Sequence, residues 1–131
     1  MHPGQGRRHV AIEQEIAFSP PLAQLTAQGT LDLAEWRAAL RALVADPGLP
    51  PEAPILCDLR AITLPGSVNP ETVFRELRLL LPHRPVAFVV KPGALFRAAH
   101  EIFTATRREI QVFTDYKAAL LWLMSRGEPD A

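Results

Sequence analysis

Residues 55–90 read ILCDLRAITLPGSVNPETVFRELRLLLPHRPVAFVV, and three apolar patterns follow one another within them. Ile55 to Leu59 is a short, mostly apolar run without polar alternation, as expected of a strand covered on both faces. Asn69 with Pro70 just inside then starts a helix, because an Asn side chain caps free amides and proline's fixed φ suits the first turn. Val73, Leu77, Leu80 and Leu81 recur at helical spacing and give it one apolar stripe, which stops before Pro82. Pro85 introduces Val86 to Val90, a second buried strand. Strand, helix and strand in that order imply a parallel pair joined by a right-handed crossover.

The same alternation continues on both sides. Pro92-Gly93 opens a helix with Leu95, Ala98, Ala99, Ile102 and Phe103 on one side and Arg97, Glu101, Thr104 and Arg108 on the other. Ile110 to Phe113 is a fourth short apolar run. Asp115 begins a last helix whose stripe is Tyr116, Ala119, Leu120 and Leu123, flanked by Leu121 and Trp122. Upstream, Asp32 and Glu35 have capping-box spacing, and Leu33, Trp36, Leu40, Leu43 and Val44 mark an amphipathic helix ended by Asp46-Pro47-Gly48. Before it, 10–18 and 22–29 read as two strands joined through Ser19-Pro20-Pro21, an antiparallel hairpin. The expected class is α/β: a single mixed sheet, the hairpin plus parallel strands, with four helices in the order ββαβαβαβα. Residues 1–8, MHPGQGRR, lack apolar periodicity and read as a disordered leader, and 9–131 read as one domain.

Composition narrows the function. The chain has 131 residues, 14 Lys plus Arg against 14 Asp plus Glu, and no net formal charge, so nothing draws it to a phosphate backbone, and nucleic acid is not expected as partner. A single cysteine, Cys57, makes no internal disulfide or thiolate cluster and is expected to be a buried inert thiol. The longest apolar run, Ala118 to Met124, is too short for a membrane span, and no signal-peptide core precedes the first strand, so a cytoplasmic location is expected.

The element order resembles the STAS domain, the fold of the bacterial anti-sigma-factor antagonist SpoIIAA, and its small single-domain relatives described as SpoIIAA-like or STAS/SEC14-like. The phrases that carry the resemblance are Gly29-Thr30-Leu31-Asp32, Ile55-Leu56-Cys57-Asp58-Leu59-Arg60, Val86 to Val90, and Val112 to Leu123. The resemblance implies a non-catalytic regulatory module that binds a protein partner. Its SEC14-like side implies the alternative of a carrier for a lipid or other apolar small molecule. In the antagonist branch a serine beyond the strand-end Asp is phosphorylated by a partner kinase; by count that position is Ser67. Here the phrase reads Pro65-Gly66-Ser67-Val68-Asn69, without the preceding Asp, the second Ser or the following Gly of the family's motif. Ser67 is therefore a candidate phosphosite beside an anion-favouring helix N-terminus, or a plain loop serine.

The remaining candidates come from the residues themselves. Asp58, at the expected carboxyl end of a central strand, either binds a ligand or caps the following loop. Lys91 at the start of the third helix, with Arg97 one turn on, suits a phosphate or carboxylate, or is an ordinary strand-to-helix turn without the P-loop pattern. His100 projects beside Phe96, Phe103 and Arg107, a candidate ligand or partner surface whose alternative is a boundary histidine half covered by rings. Leu121 and Met124, with Phe96 and Phe103, are surplus apolar groups that either line a carrier site or close a homodimer. No Gly-x-Ser-x-Gly, Cys-His pair or paired helical carboxylates occur, and no histidine has a ligand partner at helical spacing. Neither enzymatic activity nor a cofactor is expected.

Overall fold

A computed structural model of the chain describes residues 11–18, 21–64, 66, 68–80, 84–104 and 109–126. Five strands and four helices alternate as read: β1 Ala11–Phe18, β2 Pro21–Thr30, α1 Leu33–Val44, β3 Ile55–Thr63, α2 Pro70–Leu80, β4 Val86–Val89, α3 Ala94–Thr104, β5 Ile110–Phe113 and α4 Tyr116–Arg126. The sheet order is β1-β2-β3-β4-β5, with β1 antiparallel to β2 and every later pair parallel.

That sequential order dictates the layers. Each parallel step moves the same way across the sheet, so right-handed crossovers put α1, α2 and α3 on one face. Their apolar stripes close the main core with Leu25, Ile55, Cys57, Phe88 and Ile110 from the strands. After β5 the chain enters α4, which folds back over the other face and packs Ala119 and Leu123 on Leu56, Ala87 and Val89. Strands β3 and β4 are therefore sandwiched, and Ile55–Leu59 and Val86–Val89 are all buried. On this second face α4 reaches β2 at Leu22 and Gln24, and among the described residues no helix packs on β1 there.

The caps that punctuate the sequence are formed. Asp32 Oδ1 accepts the Ala34 and Glu35 amides at 2.9 and 3.3 Å, and Asn69 Oδ1 accepts the Glu71 amide at 2.8 Å. Gly93 sits at φ +114°, a conformation costly for a side chain, in the turn that launches α3. Trp36 of α1 is fully buried, a contribution of roughly 2–3 kcal/mol from apolar area.

Three expectations are corrected. β3 does not end at Leu59 but runs to Thr63, because β2 continues beside it after β4 has stopped at Val89, with a register shift between Thr26 and Gln28. Asp58 is consequently mid-strand, at the point where β4's cover ends. Phe103 is not a surface residue: it is 0% exposed, stacked on Phe88 with ring centroids 4.6 Å apart and edge-on to Phe74 at 5.8 Å. The apolar groups of α3 and α4 do not form one patch, because the two helices lie on opposite faces of the sheet. The expected leader, 1–8, and Arg108 lie outside the described residues.

Candidate functional site

Two surface depressions bring candidate side chains together, one on each side of the sheet. The first lies where the start of α2 meets the outer side of α3. Asn69, Pro70 and Glu71 form one wall and Ala94, Phe96, Arg97, Ala98, His100 and Glu101 the other, around an open groove of about 580 Å³. Helical spacing explains the second wall: with Ala99, Ile102 and Phe103 turned into the core, positions 97, 100 and 101 must face outward. The Phe96 ring lies 5.4 Å from the His100 ring and covers one side of it. The groove thus mixes apolar surface from Phe96 and Pro70 with the guanidinium of Arg97, the imidazole of His100 and the carboxylates of Glu71 and Glu101.

The second depression, about 320 Å³, lies beyond the N-terminal end of α4 and is lined by Thr26, Ala27, Gln28, Asp58, Arg60 and Ala61. Residues two apart on a strand share a face, so Asp58 and Arg60 meet. Arg60 Nε donates to Asp58 Oδ1 at 2.9 Å and Nη2 to Oδ2 at 2.7 Å, while the Arg60 amide donates to Oδ1 at 3.1 Å. The guanidinium carbon lies 5.3 Å from the centre of the Tyr116 ring. Tyr116 Oη donates to Gln24 Oε1 at 2.6 Å, and Gln24 Nε2 donates to Thr26 Oγ1 at 3.1 Å. Asp58 is 7% exposed, and burial alone raises its pKa. The hydrogen bonds from the Arg60 side chain and amide, with the guanidinium charge, more than offset this and hold the carboxyl below the usual aspartate value.

Asp58 thus accepts the backbone amide two residues on and two further bonds from the Arg60 side chain, which favour its charged form. Cys57, one residue earlier, points to the helix-covered face; burial, helped by the Asp58 charge, pushes its thiol well above the ordinary cysteine range. Among the described residues no group of three or more His, Cys, Asp or Glu side chains is placed to hold a metal ion, and no helix is long and apolar enough to cross a membrane.

The remaining candidates separate. Phe96, Arg97 and His100 share the first groove, but Lys91, exposed in the β4–α3 turn, does not line it. Leu121, 67% exposed, and the half-buried Met124 are on α4 across the sheet. Ser67 and Arg107 lie outside the described residues. Sequence reading missed the Asp58–Arg60 pair, for which the two-residue strand spacing was an available signal, and the Tyr116–Gln24 link, for which none existed. It also missed Arg84, a buried guanidinium whose Nη1 donates to the Pro50 and Ala53 carbonyls at 3.3 Å each, tying the α1–β3 connector to the segment before β4.

No protein-family model matches the sequence, and no curated protein matches it significantly. Solved structures do match the fold. An anti-sigma factor antagonist from Mycobacterium paratuberculosis superposes with a TM-score of 0.61 at 20% identity, over 91% of this chain and 97% of that chain. An uncharacterised protein of the DUF3478 family with a SpoIIAA-like fold, from Shewanella loihica, superposes with a TM-score of 0.59 at 22% identity, over 93% and 99%. The fold is therefore SpoIIAA-like, as the motif phrases implied.

Proposed function

We propose that this chain is a non-catalytic regulatory or scaffolding module of the STAS type that docks a protein partner in the groove between the start of α2 and the outer side of α3. The observation that carries the reading is that groove. It gathers Phe96, Arg97 and His100 with Asn69 and Glu71 on an exposed face of a domain whose buried carboxylate and thiol are both committed to structure. An apolar ring edged by an arginine is the kind of anchor on which protein interfaces concentrate their binding energy. The fold shared with an anti-sigma factor antagonist supports the same reading. Ser67, three residues before Pro70, is the proposed site of a regulatory phosphate next to this groove in sequence. The alternative, a carrier of an apolar small molecule, loses its argument from α3 and α4, since Phe103 is core and the other groups are divided between the two faces.

The test is affinity capture from the native host with the whole chain, comparing wild type, Arg97→Glu and, as a control away from the groove, Arg37→Glu. One identified protein bound in stoichiometric amount is expected with wild type and Arg37→Glu, and its loss with Arg97→Glu. Equal capture by all three refutes the groove as the docking site, and an apolar ligand retained in native mass spectrometry without any protein partner overturns the module reading.

A further inference from the structure

The β1 edge of the sheet combines features that belong together only if another strand is added there. β1 is the outermost strand, paired with β2 through all eight residues from Ala11↔Gln28 to Phe18↔Pro21, with no shift in register. Its outward row of amides and carbonyls is thus straight and unbroken. Of the usual guards of such an edge, β1 lacks a proline, a bulge, a lysine and a very short strand; the charges of Glu13 and Glu15 are its guard, and they act against an anionic strand and not against a cationic one. Among the described residues no strand pairs with its outer side.

The side chains of β1 show what kind of strand fits. Partners directly across an antiparallel pair share a face, so Ile12 and Ile16, opposite the buried Ala27 and Ala23, lie on the helix-covered face. Both remain only half buried, packed against the main core from its rim. Glu13 and Glu15, opposite Thr26 and Gln24, lie exposed on the other face, where α4 reaches β2 at Leu22 and, through Tyr116, at Gln24. An incoming strand would cover the isoleucines with its own alternate residues and set the residues between them beside the two glutamates.

A second copy of this chain is a poorer fit. Antiparallel β1–β1 pairing about a two-fold axis keeps the helix layers on one side only when even-numbered residues oppose even-numbered ones. The registers that use most of the strand then oppose Glu13 to Glu15 twice, or Glu13 or Glu15 to itself, and like charges directly across a pair are destabilising. The glutamates disfavour self-pairing and favour a cationic strand.

We propose that the free edge of β1 binds an extended basic segment of a protein partner as a sixth strand, with Lys or Arg beside Glu13 and Glu15 and apolar residues beside Ile12 and Ile16. Backbone hydrogen bonds supply affinity and the two faces supply selectivity, the division found when a peptide augments a sheet. This surface shares no residue with the α2–α3 groove and stands or falls independently of it.

The palindromic peptide acetyl-TVKTKVT-amide presents the required alternation in either strand direction, and acetyl-TVETEVT-amide is its charge-reversed control. Titrated against the full chain by NMR, the lysine peptide is expected to perturb β1 and β2 amides and to bind about tenfold more tightly than the control at low salt, a preference that shrinks toward 1 M salt. In the doubly substituted Glu13→Lys/Glu15→Lys chain the preference reverses. The single Glu15→Lys substitution places a cation opposite Glu13 of a second copy in the register that also sets Ile12 against Ile16, so that variant is expected to gain a self-association in sedimentation, with β1 amides protected, that wild type lacks at β1. Equal affinity for the two peptides, failure of both to bind at millimolar concentration, shifts confined to the α2–α3 groove, or wild-type dimers protected at β1 each overturn the proposal.

Discussion

Replacing Arg60 with methionine removes the side chain that keeps a nearly buried carboxylate charged, and the loss should depend on pH in a specific direction. Asp58 would retain the Arg60 amide but lose two charge-assisted bonds, of 2.9 and 2.7 Å. Each such bond contributes roughly 1.5–3 kcal/mol in protected surroundings. Because the arginine side chain is 47% exposed, solvent screening reduces the sum, and a cost of about 1–3 kcal/mol at pH 7 is expected. With a urea dependence near 2 kcal/mol per molar, that is a midpoint about 0.5–1.5 M lower. In the wild type the Asp58 pKa is depressed by folding. Its stabilisation is therefore complete above the unfolded carboxyl value of about 3.9 and is lost as pH falls through the lower folded value. In Arg60→Met burial is left as the dominant influence and raises the pKa, so the variant's penalty is largest when Asp58 must be ionised and shrinks as pH falls through that raised value. Urea unfolding of both proteins at pH 7, 5 and 3.5 should show their stabilities converging with acid. A difference that does not change with pH, or no difference at pH 7, would refute this account of the pair.

Two further substitutions test the assignment of core and surface. Phe103→Ala removes a ring packed between Phe88 and Phe74 and should cost about 3–5 kcal/mol, lowering the thermal midpoint by about 11–18 °C in calorimetry; a loss under about 1 kcal/mol would return Phe103 to the surface. Leu121→Glu alters an exposed position of α4, so the midpoint should stay within about 2 °C, while any wild-type dimer closed through Leu121 and Met124 should become monomeric in sedimentation; a midpoint drop on the scale of Phe103→Ala would place Leu121 inside the fold.

Element type and order were legible because the apolar pattern changes period cleanly between prolines, and the caps at Asp32 and Asn69 use chemistry local to a few residues. What the sequence concealed is where local patterns compete with pairing. Nothing in AITL foretells that β3 continues past Asp58, since that extension depends on β2 still running alongside after β4 has ended. The side of the sheet taken by α4 was equally hidden, because its low amphipathicity leaves Leu121 and Trp122 as apolar as the inward Leu123. Phe103 was placed with Phe96 on a helical projection that gave no depth, although its neighbours in the stripe are core residues. In the site, the groove residues Phe96, Arg97 and His100 could be found because four residues of one helix suffice to bring them together. The Tyr116–Gln24 bond joins residues 92 apart and leaves no trace in either local pattern.

The unequal covering of the two sheet faces has a functional consequence for a module of this size. Three sequential crossovers spend three helices on one face, which creates the α2–α3 groove, and leave a single helix for the other, which reaches β2 but, among the described residues, not β1. That half is built from polar side chains: Glu13 and Glu15 are exposed, while Gln24 and Arg60 meet Tyr116 at the start of α4 and Asp58 is buried under its bonds to Arg60. The groove and the β1 edge lie at separate places on one rigid sheet and share no side chain, so occupancy of one leaves the residues of the other available. On the two proposals together the domain bridges partners instead of competing for one.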